Sequence, residues 1–272
     1  MIGKAFDRMV AIEDVATKTE KKIIDRLMKL NREELIYYSI TELAASINVA
    51  EATIIRFVRK LGYTGFQDFK LSISKEMGTI ETDKTSITQN IALRMTDAIN
   101  ETYKSLDYEL CKKIAKLIIN ARKIGAFGVG NSYIAAVEIG NVLARIGINI
   151  LTTSDPHLQA MITGNMNSED VIILFSVSGS TKDILDVADI AKKNGVTIVV
   201  ITCYDKSPLA KETDLVLYST RREAAYEGGS LSTVVSISFI IDCLYNAIYE
   251  ELGSTARERA LAAASSVANK SI

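Results

Sequence analysis

Apolar residues follow two different rhythms along the chain, and the change comes near Lys123. Upstream they recur at helical spacing. Ile23, Ile24, Leu27, Met28 and Leu30 form one run, and Ile54, Phe57, Val58 and Leu61 form another at i, i+3, i+4 and i+7. Residues 1 to about 77 therefore read as helices only. Residues 77–90 turn polar, as a linker does, and Ile87, Ile91, Met95, Ile99 and Tyr103 then restore a helical stripe suited to packing on a second domain or a partner subunit. Downstream of Lys123 the apolar residues come in five short, near-continuous runs, at 124–129, 148–152, 171–175, 197–202 and 215–218. Amphipathic stretches at about 133–146 and 181–194 separate some of them, and two helices, about 231–250 and 255–268, close the chain. Unbroken apolar strands alternating with helices predict a five-stranded parallel sheet covered on both faces, a three-layer αβα domain. The expected organisation is an all-α domain over 1–77, a linker and connecting helix over 78–106, and an α/β domain over 107–272.

Composition adds mainly exclusions. The chain has 272 residues, 48% hydrophobic and 24% charged, enough for two ordinary globular cores. Cys111, Cys203 and Cys243 are odd in number and form no C-x-x-C pair, which argues against a disulfide framework or a zinc site and suits a reducing cytoplasm. His157 is the single histidine, so His-based metal and triad chemistry is not expected; neither a metal nor a cofactor is. The first residues carry charges where a signal peptide needs an apolar run, and no stretch of 18 apolar residues is free of charge, so a cytoplasmic protein with no membrane partner is expected. Net charge is −1. Yet no acid falls between Glu51 and Asp68, where Arg56, Arg59 and Lys60 cluster, and a local basic face is enough to meet a phosphate backbone.

That cluster sits on a recognisable plan. Ser39-Ile-Thr-Glu42 is a capping box opening a short helix at 40–47, Asn48-Val49 makes a tight break, and a second helix follows at 50–61. The second helix buries Ile54, Phe57, Val58 and Leu61 and turns Ala52, Ile55, Arg56 and Arg59 outward, flanked by Thr53 and Lys60. Small and basic side chains on an outward face suit a major groove; the same pattern also describes a solvated amphipathic helix. The stretch from Thr41 to Lys70, with Arg56-Phe57, Arg59-Lys60-Leu61-Gly62 and Gly65-Phe66 … Phe69-Lys70, resembles the helix-turn-helix DNA-binding domain of the RpiR family of bacterial regulators. The resemblance implies DNA contacts from Thr53, Ile55, Arg56, Arg59, Lys60 and Lys70. Two residues depart from the family pattern. Ala50 replaces a common serine and removes a side-chain N-cap, and Ile55 stands where a small polar residue is usual, placing a thymine-methyl contact within reach.

Two loops follow strands in the second half. Gly128-Val-Gly-Asn-Ser132 lacks the third glycine and ribose-binding acid of a dinucleotide site. Ser176-Val-Ser-Gly-Ser-Thr181 sets four hydroxyls and a glycine before a helix, the chemistry a phosphate dianion needs and also that of an ordinary capped turn. Together with Ile201-Thr202, Ser207-Pro208-Leu209-Ala210 and Asp214, they resemble the sugar isomerase (SIS) domain, the usual C-terminal partner in RpiR regulators. This implies a phosphosugar ligand held by Gly130, Asn131, Ser132, Ser176, Ser178, Gly179, Ser180, Thr181 and Glu223. Isomerases of this fold need a base, for which Glu223 or Glu227 would serve; the adjoining Arg221 and Arg222 also fit a solvated loop, and Val234 replaces a common arginine of the closing helix. The expected function is a repressor of carbohydrate-metabolism genes, without turnover, working as a homodimer or homotetramer on operator DNA; the alternative is a phosphosugar isomerase with an accessory helical domain.

Overall fold

A computed structural model describes residues 5–30, 35, 38–77, 84–220 and 231–268. The chain divides into two compact units that meet in sequence between Arg94 and Met95. The first is helical: α1 Ala5–Ile12, α2 Lys18–Lys29, α3 Ile40–Ile47, α4 Glu51–Lys60 and α5 Phe66–Met77. Its core joins Ile23, Ile24, Leu27, Ile54, Phe57, Val58 and Leu61, whose spacing marked the apolar stripes, with Met9, Leu43 and Phe69, while Met28 is exposed. Two helices start on capping boxes. The Thr17 hydroxyl accepts from the Glu20 amide and Ser39 from the Glu42 amide, and each glutamate returns the bond to the cap's own N–H.

The second unit holds the second half of α6 Lys84–Ser105, then α7 Tyr108–Asn120, β1 Ile124–Phe127, α8 Asn131–Ala144, α9 Pro156–Gly164, β2 Val171–Phe175, α10 Lys182–Lys193, β3 Thr197–Thr202, β4 Val216–Tyr218, α11 Ser232–Leu252 and α12 Ser254–Val267. The strands pair in parallel in the order β1-β2-β3-β4. Alternate strand residues face opposite ways. Ile173, Phe175, Val199 and Ile201 pack with α7, α8 and α11, and Ile172, Leu174, Ile198 and Val200 pack with α10. Three layers result. α11 has the length and hydropathy of a membrane-crossing helix, but half of its most apolar stretch is buried against its neighbours in the core.

Two expectations need correction. The sheet has four strands, not five: the run 148–152 pairs with β1 at a single residue, Leu151, which donates to the Ile124 carbonyl at 2.8 Å and accepts from the Ala126 amide at 2.9 Å. Gly147, at φ +75°, turns the chain just before this run, and Pro156 opens α9 just after it, so only a short stretch is free to pair. α9 itself has no counterpart in the apolar pattern, because Leu158 and Met161 are exposed and leave no continuous stripe. The polar stretch 77–90 is helical from Lys84 onward.

Because the Ser39 hydroxyl satisfies an amide that no helix carbonyl can reach, Ser39→Ala is expected to destabilise the first unit by about 1 kcal/mol, measured by urea denaturation.

Candidate DNA-binding helix and ligand cleft

α3 and α4 are joined by Asn48, whose left-handed backbone (φ 57°, ψ 54°) closes α3 with amide bonds back to Ala44 and Ala45. The Thr41 hydroxyl lies 2.6 Å from a Glu51 carboxylate oxygen, locking the start of one helix to the start of the next. Ala50 gives α4 no side-chain cap. Ala52, Arg56, Arg59 and Lys60 are exposed on α4, with Thr53 and Ile55 half-buried, opposite the buried Ile54, Phe57 and Val58.

The cations on this face are not equivalent. Arg56 reaches Thr53 at 3.4 Å and Arg59 reaches the Thr64 carbonyl at 3.3 Å, weak contacts within their own neighbourhood. Lys60 bonds both Glu20 oxygens, at 2.9 and 3.0 Å, so an acid from α2 enters a stretch that carries none in sequence. The Thr17 amide, and after it the Lys60 ammonium, hold the Glu20 carboxyl below its ordinary value. Lys70 corrects an expectation outright. It is fully buried in α5, its Nζ donates to the Tyr38 carbonyl at 2.7 Å and lies over the Phe66 ring, and it takes no place on the outward face.

In the second unit both serine-bearing loops stand at the carboxyl ends of adjacent strands, β1 and β2. The chain leaves β1 toward α8 on one face of the sheet and leaves β2 toward α10 on the other, the arrangement that opens a crevice in a parallel sheet. In the first loop Gly128 has no room for a side chain, since a Cβ would fall 2.5 Å from the Ser132 carbonyl group. Gly130 follows at φ +60° as the residue before α8, Asn131 is exposed and Ser132 half-buried on the first turn.

The turn 176–181 is folded on itself. Ser176 Oγ accepts from the Gly179 amide at 3.1 Å and lies 3.1 Å from Thr181 Oγ1. Ser178 Oγ accepts from the Ser180 amide at 3.2 Å. The amides of Gly179 and Ser180 are therefore spent inside the turn rather than pointing outward, and the Ile184 amide is taken by the Thr181 carbonyl at 3.1 Å. The donors left to face a ligand are hydroxyls and the Lys182 and Asp183 amides that open α10, which no helix carbonyl can reach. Gly179 is at φ +60°, and an added Cβ would lie 2.2 Å from Ser207 Oγ and 2.4 Å from its Cβ. That contact explains Ser207-Pro208-Leu209: the segment is clamped to the turn by the Leu209 amide on the Gly179 carbonyl at 3.0 Å. Two cavities of about 390 and 370 Å³ are lined by residues outside both loops. Glu223 and Glu227 lie outside the described residues, and His157 is exposed in the first turn of α9. Sequence reasoning missed Gln159, which is buried in α9 and hydrogen-bonded to the Gly128 carbonyl; no motif or periodicity marks it.

The chain is similar to known proteins in both units. The helix-turn-helix domain of the rpiR family matches residues 9–79 and the SIS domain matches residues 117–247. An uncharacterized HTH-type transcriptional regulator of Clostridium perfringens is 34% identical over 93% of this chain and 95% of its own length. Another, from Haemophilus influenzae, is 31% identical over 89% of each. Among solved structures, the Vibrio vulnificus NanR protein complexed with ManNAc-6P superposes with a TM-score of 0.85, covers 98% of each chain and is 26% identical. The sugar isomerase domain of an RpiR transcription factor from Sphaerobacter thermophilus covers 67% of this chain and 98% of its own, with a TM-score of 0.57 at 23% identity, a likeness of fold.

Two substitutions separate conformational need from space in the loops 128–132 and 176–181. Gly130→Ala meets no neighbour and should cost only backbone strain, about 1–3 kcal/mol in urea denaturation. Gly179→Ala adds collision with Ser207 to the same strain, and about 3 kcal/mol or more is expected. Lys70→Met should destabilise the first unit by about 1–3 kcal/mol, because the Tyr38 carbonyl loses its donor, while leaving the salt dependence of DNA binding unchanged.

Proposed function

The chain belongs to the rpiR family of helix-turn-helix transcriptional regulators and carries a SIS domain, and from this premise we propose that a phosphosugar held between loops 128–132 and 176–181 sets its affinity for operator DNA. The observation that supports the ligand half is the hydroxyl-lined turn 176–181, placed at the N-terminus of α10 beside the crevice between β1 and β2. Ser176, Ser178, Ser180 and Thr181 hold the phosphate around the Gly179 turn, and Gly130, Asn131 and Ser132 meet the sugar side. NanR of Vibrio vulnificus was solved with ManNAc-6P, which makes that compound the first ligand to try.

On the DNA side the contacts are Thr53, Ile55, Arg56, Arg59 and Lys60, the outward residues of α4. Arginine supplies bidentate donors to guanine edges or phosphates, and Ile55 offers apolar surface to a thymine methyl. Lys60 exchanges Glu20 for a phosphate on binding, an inexpensive swap for a pair in partial contact with water. A homodimer, or a tetramer built from it, presents two such helices to half-sites about 34 Å apart and represses genes of carbohydrate metabolism. We read the second unit as a sensor without turnover, since chemistry resides in particular residues and not in a fold.

The test is anisotropy of labelled DNA from upstream of the protein's own gene, at fixed salt, with and without ManNAc-6P, other hexose phosphates and the same sugars without phosphate. One phosphosugar is expected to shift the curve about 5–150-fold while its unphosphorylated sugar does not. Arg56→Ala should weaken operator binding by about 1–3 kcal/mol, and Lys60→Ala should lower the salt slope by about 1. Indifference to every phosphosugar would sink the sensor reading, and turnover of any of them would establish the isomerase instead.

A further inference from the structure

Gln159 lies outside both ligand loops, in α9, with no exposed surface. Its Nε2 donates to the Gly128 carbonyl at 3.0 Å and to the Thr153 carbonyl at 2.8 Å. Two acceptors within reach of one amide end settle which end is nitrogen. The other end, Oε1, is buried without a hydrogen-bond partner among the described residues. Leucine or methionine would fill similar space without leaving a buried acceptor unpaired, so what glutamine adds here is its pair of N–H donors.

Those donors sit where the sheet runs out. The segment after α8 pairs with β1 through Leu151, whose carbonyl accepts from Ala126. Two residues further along each segment come Gly128 and Thr153, both presenting carbonyls that cannot bond each other. The Gln159 amide inserts between them and supplies a rung the backbone lacks. Gly128 is the first residue of the ligand loop, and its backbone is pressed so closely on Ser132 that a shift at one moves the other. The far end of α9 is held to α10, where Asn194 Nδ2 donates to the carbonyls of Thr163 and Gly164, both at 3.3 Å.

We propose that Gln159 is a positioning residue of the ligand cleft: through the Gly128 carbonyl it fixes the placement of Gly130, Asn131 and Ser132, and so the sugar side of the bound phosphosugar, without touching the ligand. This rests on the reading of the two loops as a phosphosugar site. The phosphate turn 176–181 has no bond to Gln159 and stands on its own contacts to Ser207 and Leu209. The substitution Gln159→Leu therefore separates the two halves of the ligand.

The experiment uses the full chain, wild type and the variants Gln159→Leu and Gln159→Glu. Calorimetric titration with ManNAc-6P, glucose 6-phosphate, glucosamine 6-phosphate and inorganic phosphate is paired with thermal denaturation of each protein. Gln159→Leu is expected to weaken the preferred sugar phosphate about tenfold or more while inorganic phosphate changes less than about twofold. Gln159→Glu puts a carboxylate against two carbonyls, so its affinity should be low near about pH 8 and recover toward about pH 5.5, as the buried carboxyl takes a proton and regains one donor. Wild-type affinity for the sugar phosphate in Gln159→Leu would overturn the proposal, as would equal loss of sugar phosphate and inorganic phosphate. Wild-type protein that binds none of the sugar phosphates would instead overturn the phosphosugar reading, and this inference with it.

Discussion

In a parallel sheet the chain must cross one face or the other each time it leaves a strand, and here it leaves β1 over one face and β2 over the opposite one. The two adjacent loops are drawn apart at the carboxyl edge, and the space between them has strand ends as its floor and helix N-termini as its rims. Everything proposed for the second unit depends on that divergence. Had α8 and α10 covered the same face, the two loops would have risen together under one layer of helices, with no crevice between them. The buried strands make the floor stiff: all five residues of β2 are buried, each large side chain among them contributing about 1.5–3 kcal/mol of transfer free energy.

The turn 176–181 adds a second constraint. Its hydroxyls and two of its amides are already bonded to one another, so its shape exists before any ligand arrives. A pre-formed turn spares the ligand the cost of ordering it, at the expense of donors already engaged. Hydroxyls resolve the conflict, since a serine that accepts from an amide still has its own proton to donate outward. The glycine does the rest. At φ +60° and against Ser207, position 179 tolerates no side chain, and the segment 207–210 buttresses the turn from below.

Much of this was legible in the sequence, and the failures have physical causes. The core stripes of α2 and α4, the Ser39 capping box, the Asn48 break and four of the five strand runs follow from periodicity and from local hydrogen-bonding chemistry, which neighbours in sequence decide. The run 148–152 has strand composition but only one paired residue, because pairing depends on how the chain turns before and after it. α9 was invisible because a short helix lying over a neighbour's end needs no continuous apolar stripe. Gln159 was invisible for a deeper reason. A buried glutamine is recognised by the two carbonyls around it, and those come from Gly128 and Thr153, one of them 31 positions away.

The lysines make the same point about charge. Lys60 and Lys70 lie ten positions apart in one basic, motif-like stretch, and sequence offers nothing to tell them apart. The fold divides them by accessibility. Lys60 keeps 43% of its side chain exposed and pairs with an acid, an interaction worth at most about 1 kcal/mol. Lys70 has none of its surface exposed, and withdrawing its ammonium would take the donor from the half-buried Tyr38 carbonyl and open the packing beneath Phe66. Its charge serves the fold, because a carbonyl gains more from an ammonium than from a neutral donor. A cation matching a DNA-binding pattern is thus a DNA ligand only if the folded domain leaves it with a partner weak enough to exchange, and in the first unit Arg56, Arg59 and Lys60 meet that condition where Lys70 does not.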